Sequence, residues 1–143
     1  RIIYFERLLL SLLTYENRLF EHIKGKIKVD DFIDENNVRI AEFVFDRIGS
    51  KKGLVPAELL NFIDEDIVGE FSKIIINKSN FDGVIFETAD DILKRLEKHK
   101  LRMREEKINE ILKSESKGNT LSQGEIKNLL KELKEITEIL KNK

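Results

Sequence analysis

Apolar residues recur at intervals of three and four along almost the whole chain, which is the spacing that places them on one face of an α-helix. Only one proline and seven glycines interrupt the 143 residues, so strands and their turns have little room. The pattern therefore predicts an all-α protein. Five helices are predicted in the first part of the chain: one over about residues 2–14, one between Glu16 and Gly25, one over about 36–48, one starting at Pro56 and one capped by Asp64.

The third of these helices has the widest apolar face. A helix that is apolar over so much of its surface is usually surrounded by other elements. We therefore predict that this helix is central to the core. Its apolar face consists of Val38, Ile40, Ala41, Val44, Phe45 and Ile48.

A long helix of roughly 26 residues is predicted from Thr88 to about Lys113, because Thr88 and Asp91 have the spacing of a capping box and no breaker follows. At about 100° per residue, its apolar residues form two stripes about 100° apart. We predict that the first stripe completes the bundle and that the second pairs with the final helix. The first stripe is Ala89, Ile92, Leu93, Leu96 and Met103, and the second is Leu101, Ile108 and Leu112.

The final helix is predicted to begin near Gln123 and to run to about Lys141, since Ser122 and Glu125 form a capping-box pattern. With the long helix it forms an antiparallel hairpin. The prediction is thus a bundle of about six helices over residues 1–103. A C-terminal helical hairpin follows over residues 104–143 and shares the long sixth helix.

Most apolar residues of the final helix fall within about 120° of one another, a stripe too wide for a single neighbouring helix to cover. We expect the remaining apolar surface to bind another protein, with lysines at its polar margin. The alternative is that the hairpin folds back on its own bundle. The predicted partner-binding residues are Ile126, Lys127, Leu130, Lys131, Leu133, Lys134, Ile136, Ile139 and Leu140.

Charge changes this picture only locally, because 26 basic and 27 acidic residues give a net charge of −1. The stretch KRLEKHKLRMREEK at 94–107 has seven basic and three acidic residues, a net +4. It predicts either a solvated junction between the two parts of the long helix or a contact with an acidic protein surface. The alternative is a nucleic-acid-binding module over 94–104, which the three glutamates of the stretch 94–107 and the lack of aromatic residues after Phe86 disfavour. The basic residues of that module would be Lys94, Arg95, Lys98, Lys100, Arg102 and Arg104.

Candidate chemistry is sparse. There is no cysteine, and neither His22 nor His99 has a histidine partner one helical turn away, so no metal ligands are predicted. The acidic groups Asp30-Asp31, Asp64-Glu65-Asp66 and Asp90-Asp91 lie at predicted helix starts or turns, where capping favours acids. No glycine-rich phosphate loop or nucleophile motif occurs. We predict no catalytic residue, no cofactor and no membrane span, and we expect a cytoplasmic protein.

Four features together resemble the C-terminal domain of the bacterial replicative primase, the DnaG family. They are ERLLL at 6–10, VDDF at 29–32, the helix NNVRIAEFVFDRI at 36–48, and the long charged helix with its terminal hairpin. The resemblance implies a non-catalytic domain that tethers primase to the N-terminal domains of the hexameric, DnaB-type replicative helicase. It also implies that the chain, which starts at Arg1, is a fragment of a DNA-directed RNA polymerase, with zinc-binding and Toprim-type domains upstream.

Two alternatives remain within this interpretation. The N-terminal domain of the replicative helicase is similar in fold to the bundle, although the predicted terminal hairpin favours primase. In addition, a helix pair on a helical stalk can pair with a second copy, which would give a domain-swapped dimer through the hairpin.

Overall fold

The computed structural model describes residues 1–118 and 120–142, and the predicted all-α fold is confirmed within them. The described residues contain seven α-helices and two short 3-10 helices, Val29–Asp31 and Lys78–Phe81. The α-helices are α1 (Ile2–Tyr15), α2 (Leu19–Ile23), α3 (Glu35–Gly49), α4 (Pro56–Phe62), α5 (Glu65–Ile76), α6 (Ile85–Gly118) and α7 (Gln123–Lys141).

The helices form two compact units, Arg1–Lys94 and Arg95–Lys143. Helix α6 belongs to both units, since it continues through Lys94 without a break. The predicted division between residues 103 and 104 also falls within α6 and stays a prediction.

Helix α1 occupies the centre of the first unit. Residues 6–14 are all buried, and α1 contacts α2, α3, α4 and α5. A helix that is buried on every side needs apolar residues around its whole circumference, which the run from Leu8 to Leu13, broken only by Ser11, provides. The prediction that the third helix is central was therefore wrong, although α3 does bury Ile40, Ala41 and Val44.

The start of α5 differs in detail from its prediction. Asp64 does occupy the N-cap position, but its side chain accepts no hydrogen bond from the first turn of the helix. Its carboxylate lies instead 3.4 Å from the Arg39 guanidinium. Asp34 is the acid that caps a helix through its side chain, because it accepts a hydrogen bond from the backbone N–H of Asn37 in α3 at 3.1 Å.

Helix α6 is longer than predicted at both ends. It begins at Ile85, and the Thr88 hydroxyl donates to the Val84 carbonyl at 2.7 Å, so Thr88 lies within the first turn and does not cap the helix. At the other end it continues past Lys113 to Gly118. Met103, which was predicted to belong to the buried stripe of the bundle, is 48% exposed. That prediction was wrong, because Met103 lies beyond the first unit.

Candidate functional site

The second unit is an antiparallel helical hairpin. Arg104 of α6 donates to Glu132 of α7, and nearer the turn Glu115 of α6 accepts a hydrogen bond from the backbone N–H of Leu121 at 2.8 Å. Glu115 comes after Arg104 in the chain, whereas its partner Leu121 comes before Glu132. The two helices therefore run antiparallel. The pairing of the long helix with the last one was predicted from apolar spacing alone.

The start of α7 is defined by its predicted capping box. Ser122 Oγ accepts a hydrogen bond from the backbone N–H of Glu125 at 3.1 Å, and Glu125 Oε1 accepts one from the backbone N–H of Ser122 at 3.1 Å. Two backbone donors that the helix itself leaves unsatisfied are thereby paired. The helix begins at Gln123 and ends at Lys141, as predicted.

The predicted partner-binding residues of α7 divide into three groups by exposure. Ile136 is 4% exposed, so its side chain is buried in the hairpin. Three more apolar residues are half-buried: Ile126, Leu133 and Leu140. The exposed group consists of Leu130, Ile139, Lys127, Lys131 and Lys134.

An ion pair closes one side of the hairpin. Arg104 donates to the Glu132 carboxylate from Nε at 2.7 Å and from Nη2 at 2.9 Å, a two-bond geometry that fits a guanidinium to a carboxylate. These hydrogen bonds hold the pKa of the Glu132 carboxyl below its usual range. Because both side chains are partly exposed, the pair adds little to the free energy of folding. Its main effect is on the orientation of α7.

The connection between α6 and α7 is also held by a buried acid. Glu115 is 8% exposed and accepts hydrogen bonds from the Thr120 hydroxyl at 3.0 Å and from the backbone N–H of Leu121. A carboxylate in such a position is stable only when its oxygens are paired. These two hydrogen bonds therefore connect the last turns of α6 to the residues just before α7.

The basic run contributes less free charge than its sequence indicates. Arg104 forms an ion pair with Glu132, so its charge is neutralised within the hairpin. Lys94, Lys100 and Arg102 are exposed along α6. A face that attracts phosphates depends on the number of cations it can offer, and this pairing lowers that number.

A buried polar network in the first unit was missed by the sequence analysis. Asn37, which is fully buried, accepts from Arg7 Nε at 3.1 Å and donates to Glu6 Oε1 at 2.9 Å. Glu6 Oε2 also accepts a hydrogen bond from the backbone N–H of Ile33 at 2.6 Å, and Arg7 pairs with Glu70 of α5. The network thus connects α1 to α3 and α5. The sequence analysis assigned no structural role to Glu6 and Arg7 of ERLLL, because their partners are distant in sequence.

His22 has a partner that the sequence did not reveal. Its Nε2 lies 2.7 Å from Asp90 Oδ1, and its ring packs edge-on against Phe86. Both partners lie at the start of α6, so this contact attaches α2 to α6 within the first unit. Asp90, which was predicted to serve a helix start, lies inside α6 and acts as a side-chain acceptor.

The first unit also carries an open cavity of about 250 Å³ beside α1, α5 and the 3-10 helix that follows α5. Tyr4, Lys73 and Phe81 are among its lining residues. Pockets that enclose small ligands usually measure about 300–1,000 Å³, so this cavity is small for such a role.

No three His, Cys, Asp or Glu side chains are grouped to hold a metal ion among the residues that the structure describes. Within the same residues, no helix has both the length and the apolar character needed to cross a membrane. No family model, no curated protein and no solved structure matches this chain.

Proposed function

We propose that this chain is a non-catalytic, protein-binding domain that tethers a DNA primase to the hexameric, DnaB-type replicative helicase during primer synthesis. The observation that carries the proposal is the exposed apolar surface of α7, where Leu130 is 51% exposed and Ile139 is 40% exposed. Helix α7 is connected to the bundle by α6, and among the described residues of its own unit α6 is the one helix that can cover it. An amphipathic helix in that position buries its remaining apolar surface against a partner.

The arrangement of elements supports the same function. An all-helical unit is followed by a two-helix hairpin that shares a long helix with it, which is the order that the resemblance to the primase C-terminal domain implies. The first unit has a core of interlocked leucines and a paired polar network, which suits a rigid support. Among the described residues of the second unit, Ile108 and Ile136 are the buried apolar side chains, and so small a core suits a surface that is completed by binding.

The proposal is tested by mixing the whole chain with the N-terminal domain of the replicative helicase from the same organism. We expect a complex by size-exclusion chromatography and a dissociation constant in the micromolar range or tighter by isothermal titration calorimetry. The double variant Leu130→Asp/Ile139→Asp should weaken it by more than about tenfold. Ile76→Asp, which changes a residue that is 78% exposed in the first unit, is the matched control and should bind like the wild type. Absence of a complex with the wild-type chain would refute the proposal.

A further inference from the structure

The two exposed apolar side chains of α7 lie on opposite sides of the hairpin interface. At about 100° per residue, Leu130 lies about 120° from the buried Ile136 in one direction, and Ile139 lies about 60° from it in the other. Leu130 and Ile139 are therefore about 180° apart around the helix. A single partner surface that is centred on one of them leaves the other at its edge or beyond it.

The Leu130 side is basic. Lys127 and Lys134 lie three residues before and four residues after Leu130, so all three side chains share one face of α7. Both lysines are exposed, and within the described parts of the chain neither forms an ion pair. Leu130 is also next to the half-buried Ile126 and Leu133, which extend its apolar surface.

The Ile139 side of α7 is acidic, and one of its acids already forms an ion pair with α6. Its neighbour one turn earlier is Glu135, and Glu132, two turns earlier, is bonded to Arg104 of α6. A partner that covered this side would have to remove water from the Arg104–Glu132 ion pair without offering either side chain a better partner, which costs free energy. The two sides thus differ in charge although each carries one exposed apolar residue.

We propose that the Leu130 side alone is the binding surface, and that its partner is an acidic protein surface with an apolar pocket for Leu130. This inference rests on the proposed function and identifies which face of α7 serves it. Carboxylates on the partner would form ion pairs with the lysines around Leu130. The same complementary charges would increase the association rate. A protein fits this surface better than a nucleic acid, because the centre is aliphatic and α7 has no aromatic residue on which a base could stack.

The test compares single-face variants of the whole chain in calorimetric titrations against the helicase N-terminal domain. Leu130→Asp and the double variant Lys127→Glu/Lys134→Glu should each weaken binding by more than about tenfold. Ile139→Asp is the matched control on the opposite side and should stay within about threefold of the wild type. Raising the salt concentration should weaken the wild-type complex more than the lysine variant. Far-ultraviolet circular dichroism checks that each variant stays helical.

The inference is overturned if Ile139→Asp abolishes binding while Leu130→Asp preserves it, or if the lysine reversals leave the affinity unchanged. In both cases the wild-type complex still forms, so the proposed function survives. If the wild-type chain forms no complex, the proposed function and this inference fail together. A single-stranded oligonucleotide titrated in parallel should not bind, and binding that the lysine reversals remove would assign this face to nucleic acid and overturn the inference.

Discussion

Arg104 of α6 donates two hydrogen bonds to the carboxylate of Glu132 in α7, at 2.7 and 2.9 Å. The bonds join positions 28 residues apart in sequence and fix which side of α7 faces α6. With Ile136 inside the hairpin, this pair leaves Leu130 on the opposite, open side. The ion pair and the buried Ile136 therefore agree on which face of α7 lies against α6.

The first prediction concerns the pH dependence of this pair. Because Arg104 lowers the pKa of the Glu132 carboxyl in the folded chain, the pair stabilises the hairpin at neutral pH, and this contribution disappears as the pH falls through that lowered pKa. Arg104→Gln should raise the pKa of Glu132 towards its usual value. Carboxyl chemical shifts followed by NMR during a pH titration measure the change. An identical pKa of Glu132 in the wild type and in Arg104→Gln would contradict the pairing.

The second prediction concerns the buried network in the first unit. Asn37→Ala removes the acceptor of Arg7 Nε and a donor to Glu6, which leaves two buried charged groups short of partners. It should lower the free energy of unfolding by about 1–3 kcal/mol, as measured by urea denaturation. Asn36→Ala, one residue earlier, changes a side chain with no hydrogen bond among the described residues and should stay within about 0.5 kcal/mol. Equal effects of the two substitutions would show that the network contributes nothing specific.

The third prediction concerns the N-terminus of α7. Ser122→Ala removes the oxygen that accepts from the backbone N–H of Glu125 and should destabilise the helix by about 1 kcal/mol. Amide hydrogen exchange in the first turn of α7 should accelerate accordingly. Ser116→Ala, within the last turns of α6, is the control, because the Ser116 hydroxyl only bonds back to the Lys113 carbonyl. Unchanged exchange in Ser122→Ala would exclude the cap.

The fourth prediction concerns the contact between His22 and Asp90. Both side chains are partly exposed, so a double-mutant cycle with His22→Ala and Asp90→Ala should give a coupling energy below about 1 kcal/mol. The same cycle with the exposed neighbour Asp91 in place of Asp90 should give no coupling. Thermal unfolding of the single and double variants supplies the free energies.

The helices were predictable because residues close together in sequence determine where a helix begins and which face is apolar. Ser122 and Glu125 lie three residues apart and identify the start of α7 from the sequence alone. Thr88 and Asp91 have the same spacing, but α6 begins earlier because Thr88 bonds to the Val84 carbonyl. A spacing of three residues therefore predicts that a helix begins nearby, while the competing bonds of the hydroxyl decide the first residue.

The polar contacts were not predictable because they join residues that are distant in sequence. Asn37 and Glu6 are separated by 31 residues, and His22 and Asp90 by 68. Helical periodicity indicates which side of a helix is buried, but it does not say which polar group of another helix lies opposite. The same limit applies to α7, where periodicity grouped Leu130 with Ile136, and only the position of α6 separates the exposed residue from the buried one.

Calorimetric titration of the replicative helicase's N-terminal domain with the whole chain tests the proposed function most directly. Helicase binding predicts saturable heat with a dissociation constant in the micromolar range or tighter, and loss of that heat with Leu130→Asp/Ile139→Asp but not with Ile76→Asp. No heat from the wild-type chain at concentrations of tens of micromolar, or equal affinity of the wild type and the α7 double variant, would contradict it.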